Sequence, residues 1–223
     1  LAPFENLVPA FGQGLKEAGF VEGQNVAIEY RYADNQIDRL PALVADLVRR
    51  NAAVIVANNP AVFAVKAATT TIPIVFAIGS DPVKDGLVAS LNRPGGNLTG
   101  VVFITSELGA KRLELFRQLV PNATTIAMLV NPGSAQTEGE RKDVLAAAKA
   151  LGQQLFILDV NSVRDIETAF ATLVQRGVGG LLVGSGAFLS SNRVQIVALA
   201  ARHRIPTMYV LRDFVSIGGL MSY

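Results

Sequence analysis

The sequence predicts an α/β fold of two lobes, each built on a parallel sheet, and three observations carry that prediction. First, two apolar runs, residues 53–57 and 74–78, are too short and too rich in β-branched residues to be helices. Second, each breaks abruptly into small and polar residues and then into a helix pattern: Asn58-Asn59-Pro60-Ala61 after the first, Gly79-Ser80-Asp81-Pro82 after the second. Buried parallel strands end this way. Third, the chain echoes itself. VIVANNPA in the first half and AMLVNPGSA in the second both read as strand, Asn-Pro, helix. An alternation of strand and helix with matched breaks argues for two similar lobes with helices on both sheet faces.

The elements follow in order. Leu7, Phe11, Leu15 and Ala18 share one helix face, and Gly19 stops it. Residues 26–32 alternate as a strand. Leu40, Leu43, Val44, Leu47 and Val48 repeat at helix spacing, with Asp38 as the expected N-cap and Pro41 in the first turn. Strand 53–57, helix 61–68 and strand 74–78 come next, then a short helix over 82–91. Residues 93–97 form a turn by composition, and 98–104 a further strand. The pattern then restarts. Leu113, Phe116, Leu119 and Val120 mark a helix ended by Pro121, and strand 126–130 breaks into Asn131-Pro132-Gly133-Ser134. A helix runs to Leu151, followed by strand 155–160, a helix carrying Ile166, Phe170, Leu173 and Val174, and strand 180–183. That strand breaks into Gly184-Ser185-Gly186. A helix over 193–202 leads to a last strand at 207–210. The expected division is lobe 1 over residues 1–103, lobe 2 over 104–210, and 211–223 crossing back to lobe 1.

Composition bounds the function. With 223 residues, half of them hydrophobic and 17% charged, the chain is long enough to bury a full core and is not a disordered tail. No apolar run approaches the roughly 20 residues of a membrane span. The absence of cysteine excludes disulfides and thiolate metal sites. The net charge is only +2, and the basic residues come as scattered pairs (Arg49-Arg50, Lys111-Arg112, Arg202 and Arg204), read as solvated helix ends and faces rather than a nucleic-acid footprint.

In an open parallel sheet, ligands bind beyond the carboxyl ends of the strands. Four such ends lead into helix starts, at residues 58–61, 79–82, 131–134 and 184–188. Unpaired N–H groups and the positive dipole end favour a carboxylate there. Asp81 is the one acid so placed, fit to hold an ammonium group. Taken singly, each of these residues is an ordinary helix cap; their match across both halves favours a ligand. Catalytic machinery is thin. His203 is the lone histidine, flanked by arginines near a helix end, and no nucleophile elbow, phosphate loop or metal cluster is present. The sequence reads as a binder rather than an enzyme, with no cofactor and no metal.

Three segments carry a family resemblance: FGQGLKEAGFVEGQNVAIEYRYADNQIDRLPALVADLV, AATTTIPIVFAIGSDPVKDGLVASLNRPGGNLTGV and IPTMYVLRDFVSIGGLMSY. The chain resembles, over nearly its whole length, the substrate-binding components of a broad group of bacterial ABC transporters that includes tryptophan-binding members. DPV-x-x-GLVASL-x-RPGGN-x-TG is long enough to be specific. The resemblance implies the type I periplasmic binding protein fold, in which two Rossmann-like lobes joined by a hinge close on a solute. It also implies an extracytoplasmic location, a small-molecule ligand such as an amino acid (aromatic favoured), and docking onto a transmembrane permease. Matched to the family's pocket segments, the ligand-binding residues are Asn58, Asn59, Pro60, Ala61, Gly79, Ser80, Asp81 and Pro82 in one lobe. The other lobe supplies Asn131, Ser134, Ser185 and Phe188, with Tyr209, Arg212 and Asp213 near the return hinge. Two departures stand out. Many members carry an acid near Gly186; where it would hold an α-ammonium group, this chain has Asp81 or Asp213 to offer, or takes a ligand that is not an α-amino acid. The family's first strand and its continuation past Tyr223 are also missing, so the sequence is expected to be part of a longer protein. The alternative reading on the same fold is a ligand-sensing domain of a receptor or transcriptional regulator. A dinucleotide enzyme is disfavoured by the missing phosphate loop.

Overall fold

The computed structural model describes residues 7–34, 36–103, 108–133 and 137–223. Its strands form two parallel sheets, as the α/β reading requires. The first has the order β1-β2-β3, with β1 Ile55–Asn58, β2 Ile74–Ile78 and β3 Leu98–Val102. The second has the order β5-β4-β6-β7-β8, with β4 Thr125–Val130, β5 Gln154–Asp159, β6 Gly180–Val183, β7 Thr207–Tyr209 and β8 Met221–Ser222.

The register of the first sheet decides which face is buried. Ile55, Ile74 and Leu98 stand side by side, as do Ala57, Phe76 and Gly100. Alternation then sends this set to one face, where α2 Leu40–Arg49 and α3 Ala61–Ala68 contribute Val44, Val62 and Val65 to a common core. The opposite row, Val56 beside Val75 and Thr99, faces outward. Val56 is 49% exposed and Val101 58%. At Gly100 a Cβ would lie 2.1 Å from the Phe76 carbonyl oxygen, so glycine is what lets β3 close on β2.

The second sheet is covered on both faces. Ala127, Leu129, Leu181 and Val183 join the core under α6 Val163–Arg176 and α8 Arg193–Arg202. Ile126, Met128, Val130, Leu182 and Met208 point the other way, under α4 Gly109–Leu119 and α5 Thr137–Ala150. Two-sided burial explains why β4 and β6 read as unbroken apolar runs.

Several expectations are corrected. Residues 26–32 form no strand. Their single pairing among the described residues is the Glu22–Val26 bridge, and a strand without a ladder leaves its backbone groups to solvent. Side chains hold the segment instead: Tyr30 and Tyr32 stack at 6.3 Å, and Arg31 donates to Asp46 of α2 at 2.7 and 3.1 Å. The expected helix over 82–91 is a single turn. The Leu87 N–H reaches the Pro82 carbonyl at 2.8 Å and the Gly86 N–H the Val83 carbonyl at 3.0 Å, with Gly86 at φ 67°. This left-handed closure terminates a helix after one turn. Asp38 does not cap α2; it lies in a 3-10 turn, Ile37–Arg39, that runs straight into the helix. Residues 211–223 do not return to the first lobe. They form α9 Arg212–Val215 and β8, and β8 pairs with β7 in the second sheet. Phe214 anchors this segment by stacking on Tyr209 at 4.8 Å inside the core. A short helix, α7 Ala187–Ser191, precedes α8.

Candidate functional site

The candidate residues cluster at the carboxyl ends of the two sheets. Asn58 is the last residue of β1 and lies beside Ala77, two residues before Gly79. Asn131 and Ser185 each stand two residues past the paired Leu129 and Val183. Both positions are where an open parallel sheet presents its loops to a ligand.

At the end of the first sheet, an amide, a hydroxyl and a carboxylate tie the loops together. Asn59 Nδ2 donates to Ser80 Oγ at 2.9 Å, and the Ser80 hydroxyl donates to Asp85 Oδ2 at 2.5 Å. Ser80 is 5% exposed. Asn59 Oδ1 is buried and has no hydrogen-bond partner among the described residues. Pro60 occupies the N-cap of α3, and among the described residues no side chain caps that helix. The first-turn N–H groups of Ala61 and Val62 therefore carry the positive end of α3 without a side-chain acceptor. Asp81 is engaged by its own turn. Its Oδ1 accepts the Val83 N–H at 2.8 Å and the Lys84 N–H at 3.3 Å, and its Oδ2 lies 3.8 Å from Lys84 Nζ. Pro82 is buried beneath the same turn, and the Lys66 ammonium from α3 donates to the Gly86 carbonyl.

At the end of the second sheet, a buried ion pair does the tying. Arg112 of α4 and Glu140 of α5 are 2% and 1% exposed. Arg112 Nη2 donates to Glu140 Oε1, and Arg112 Nη1 donates to the Val183 carbonyl at 3.1 Å. Glu140 Oε2 accepts the Ser185 N–H at 2.8 Å, and Oε1 accepts the Ser185 hydroxyl at 3.2 Å. Burial pushes the Glu140 carboxyl up, against the pull of Arg112 and Ser185, and pushes the Arg112 guanidinium down. A guanidinium keeps its proton throughout the physiological range, so Arg112 presents a positive charge to the Glu140 carboxyl.

The remaining candidates fall into three groups. Asn131 is structural: its Nδ2 donates to the Val160 carbonyl at 2.7 Å, joining the ends of β4 and β5. Phe188, on α7, is half-buried against the second sheet's core. Tyr209 is fully in the core, 1% exposed, where burial pushes its phenol up to about 12. Arg212 and Asp213 are exposed on α9. Ser134 lies outside the described residues.

The sequence reading takes no notice of Asp85 and Glu140 and counts the buried Arg112 in a solvated pair. The signal for the ion pair was present. Gly109, Arg112, Leu113 and Phe116 form one buried stripe, and Thr137, Glu140, Val144 and Ala148 another. Opposite charges standing at i+3 in two such stripes mark an internal pair. Lys111-Arg112 is thus no solvated doublet: Lys111 bonds Glu114 outside at 2.9 Å while its neighbour is buried. Among the described residues no group of three or more histidine, aspartate or glutamate side chains is placed to hold a metal, and no helix is long and apolar enough to cross a membrane.

The ABC transporter substrate binding protein family matches residues 4–223, and the chain belongs to it. A tyrosine-binding protein of Clostridioides difficile (strain R20291) is 27% identical over 213 residues, which are 94% of this chain and 60% of that protein. The chain thus spans under two thirds of this relative's length. A crystal structure of a conserved domain protein from Vibrio cholerae superposes with a TM-score of 0.86 at 25% identity, covering 96% of this chain and 72% of the other. An ABC domain from Streptococcus pneumonia in complex with L-Trp gives 0.83 at 24% identity, covering 100% and 75%. The fold is that of the type I periplasmic binding proteins.

Proposed function

We propose that this member of the ABC transporter substrate binding protein family works outside the cytoplasm, captures an amino acid between its two lobes, and delivers it to a transmembrane permease. Aromatic amino acids are the favoured ligands. The observation that carries this reading is the pairing of an uncapped α3 start with the unpartnered, buried Asn59 Oδ1. A zwitterion needs donors for its carboxylate and an acceptor for its ammonium. The N–H groups of Ala61 and Val62 supply the donors at the positive end of the α3 dipole. Asn59 Oδ1 supplies the acceptor, and a buried acceptor left without a donor is costly enough to need a use.

Asp81 holds its own turn, so its part in ammonium binding narrows to Oδ2. The tyrosine-binding relative and the L-Trp complex support the aromatic choice. A ligand touching both lobes binds the closed arrangement better and shifts the population toward it.

The test is thermal unfolding in the presence of L-tryptophan, L-tyrosine and a panel of other amino acids. The cognate ligand at 100 times its Kd should stabilise the protein by about 2.7 kcal/mol. No rise in Tm with any amino acid rejects the ligand class. Asn59→Ala should weaken binding about tenfold or more, the scale of a hydrogen bond to a charged group. Asp81→Ala should weaken it less, and an unchanged affinity removes Asp81 from the ammonium site.

A further inference from the structure

We infer that Arg112 and Glu140 are positioning residues for the ligand-facing loop of the second lobe, clamping the backbone on both sides of Gly184 so that residues 185–188 meet the ligand preformed. The inference rests on the reading of this chain as a solute binder. It starts from a mismatch between energetics and placement. Two charges in a dry core stabilise a fold no better than well-packed apolar residues of the same volume. This pair is buried between α4 and α5, where apolar side chains already pack. Packing alone gives no reason for charge here.

The hydrogen bonds give one. Among the described residues, every hydrogen bond the pair makes outside itself goes to the end of β6 or the loop that leaves it, while Arg112 Nε is buried without a partner. Arg112 Nη1 holds the Val183 carbonyl, while the two Glu140 oxygens hold the N–H and the hydroxyl of Ser185. Apart from the pair, the described residues hold the start of that loop by one backbone bond, from the Gly184 N–H to the Leu129 carbonyl at 2.8 Å. Gly184 lies where a Cβ would come within 3.0 Å of the Leu129 carbonyl and 3.4 Å of Glu140 Oε2, so no side chain stiffens it. Gly186 sits at φ 133°, a conformation that side chains rarely adopt. Two glycines around one serine leave few side chains to fix the chain beyond that bond, and the pair fixes the serine between them.

The site is fitted to the pair. At Gly109 a Cβ would fall 2.6 Å from Val144 Cγ2 and 3.2 Å from Glu140 Cγ, so glycine is what lets α4 close on α5 with Glu140 between them. Ser185 changes role accordingly. Its hydroxyl points inward to Glu140, and the loop meets a ligand through its backbone and through Phe188 rather than through that hydroxyl.

The test compares the wild-type protein with the double variant Arg112→Met, Glu140→Leu, which replaces the pair by apolar side chains. Three quantities are read: Tm, amide hydrogen exchange over residues 183–188, and affinity for L-tryptophan and L-tyrosine. The expected result is a lowered Tm, because the Val183 carbonyl and the Ser185 N–H and hydroxyl lose buried partners, with loop exchange faster by about tenfold or more and binding weaker by about tenfold or more, the scale on which losing an outer-shell partner weakens a metal site. Unchanged loop exchange in the folded double variant overturns the inference, as does unchanged affinity once the loop has loosened. If the wild type binds neither amino acid, the ligand assignment falls separately, and the exchange comparison alone decides the clamp. Should the double variant fail to fold, Ser185→Ala removes one of the three loop contacts. It should speed loop exchange several-fold; no change would overturn the clamp.

Discussion

The two sheets end in loops of the same design and hold them by opposite means. Asn59, Ser80 and Asp85 form a chain of hydroxyl, amide and carboxylate groups at the edge of solvent. Arg112 and Glu140 form an ion pair that water does not reach. The difference follows from the sheets themselves. The first sheet packs helices on one face and leaves Val56 and Val101 exposed on the other. The second is covered on both faces and supplies a dry interior in which a charge pair attracts strongly but is costly to desolvate. A wall whose one charge lies within reach of water adjusts at less cost than a wall held by a buried pair. One lobe thus offers an adaptable surface and the other a fixed one.

The largest effect should come from breaking the two-sided core. Phe170 is fully buried under the second sheet, and Phe170→Ala should cost about 3–5 kcal/mol through lost transfer energy and the cavity left behind. Val56→Thr, on the open face of the first sheet, should stay within about 0.5 kcal/mol. Denaturation followed by circular dichroism measures both. Comparable losses would mean that the outer face of β1 is covered after all, and the contrast between the sheets would fall.

The same contrast governs how much was legible in the sequence. Parallel strands buried on both faces announce themselves as apolar runs, so β4, β6 and the alternation of elements were readable, as was β2. The four strand-end breaks were also readable, because Asn-Pro and Gly-Ser clusters stop a strand wherever they stand. Residues 26–32 misled because alternation reports a half-buried strand only when a neighbour exists to pair with it. Residues 82–91 misled because Gly86 closes the turn in a left-handed conformation that periodicity does not register. Tyr209 and Phe214 carried no periodic sign of stacking on one another five residues apart, and that contact, with the pairing of β8 on β7, keeps residues 211–223 on the second sheet. Asp85 escaped because its link to Ser80 exists only after that turn has formed.

A smaller effect tests the hydroxyl relay. Ser80→Ala removes the hydroxyl that accepts from Asn59 and donates to Asp85, leaving the partners of a nearly buried group unmatched. The expected cost is about 1–2 kcal/mol. Because water reaches Asp85 and can replace the lost partner, this loss should be smaller than that of a buried charge left alone in the other lobe, for which about 3–5 kcal/mol is typical. A Ser80→Ala loss as large as that of Glu140→Ala would erase the distinction between an adaptable and a fixed wall.

The smallest effect concerns helix starts, where the lobes also differ. α6 carries a full capping box: the Ser162 side chain accepts the Asp165 N–H at 3.2 Å, and the Asp165 carboxylate accepts the Ser162 N–H at 2.9 Å. α3 has no side-chain cap. If the bare start of α3 is kept for a ligand, the box on α6 should serve stability alone. Ser162→Ala should cost about 1 kcal/mol and leave amino-acid affinity unchanged. Hydrogen bonds from the Asn161 N–H and from Ser162 hold the Asp165 carboxyl below the ordinary range. A group depressed in the folded state gives stability that is fully present above its unfolded value, near about 3.9, and that is lost as pH falls through the folded value. Asp165→Asn should therefore be less stable than the parent at neutral pH and converge with it in acid. A constant difference across that range would mean that the carboxylate charge adds nothing to the box, and that the two helix starts differ in hydrogen bonding alone.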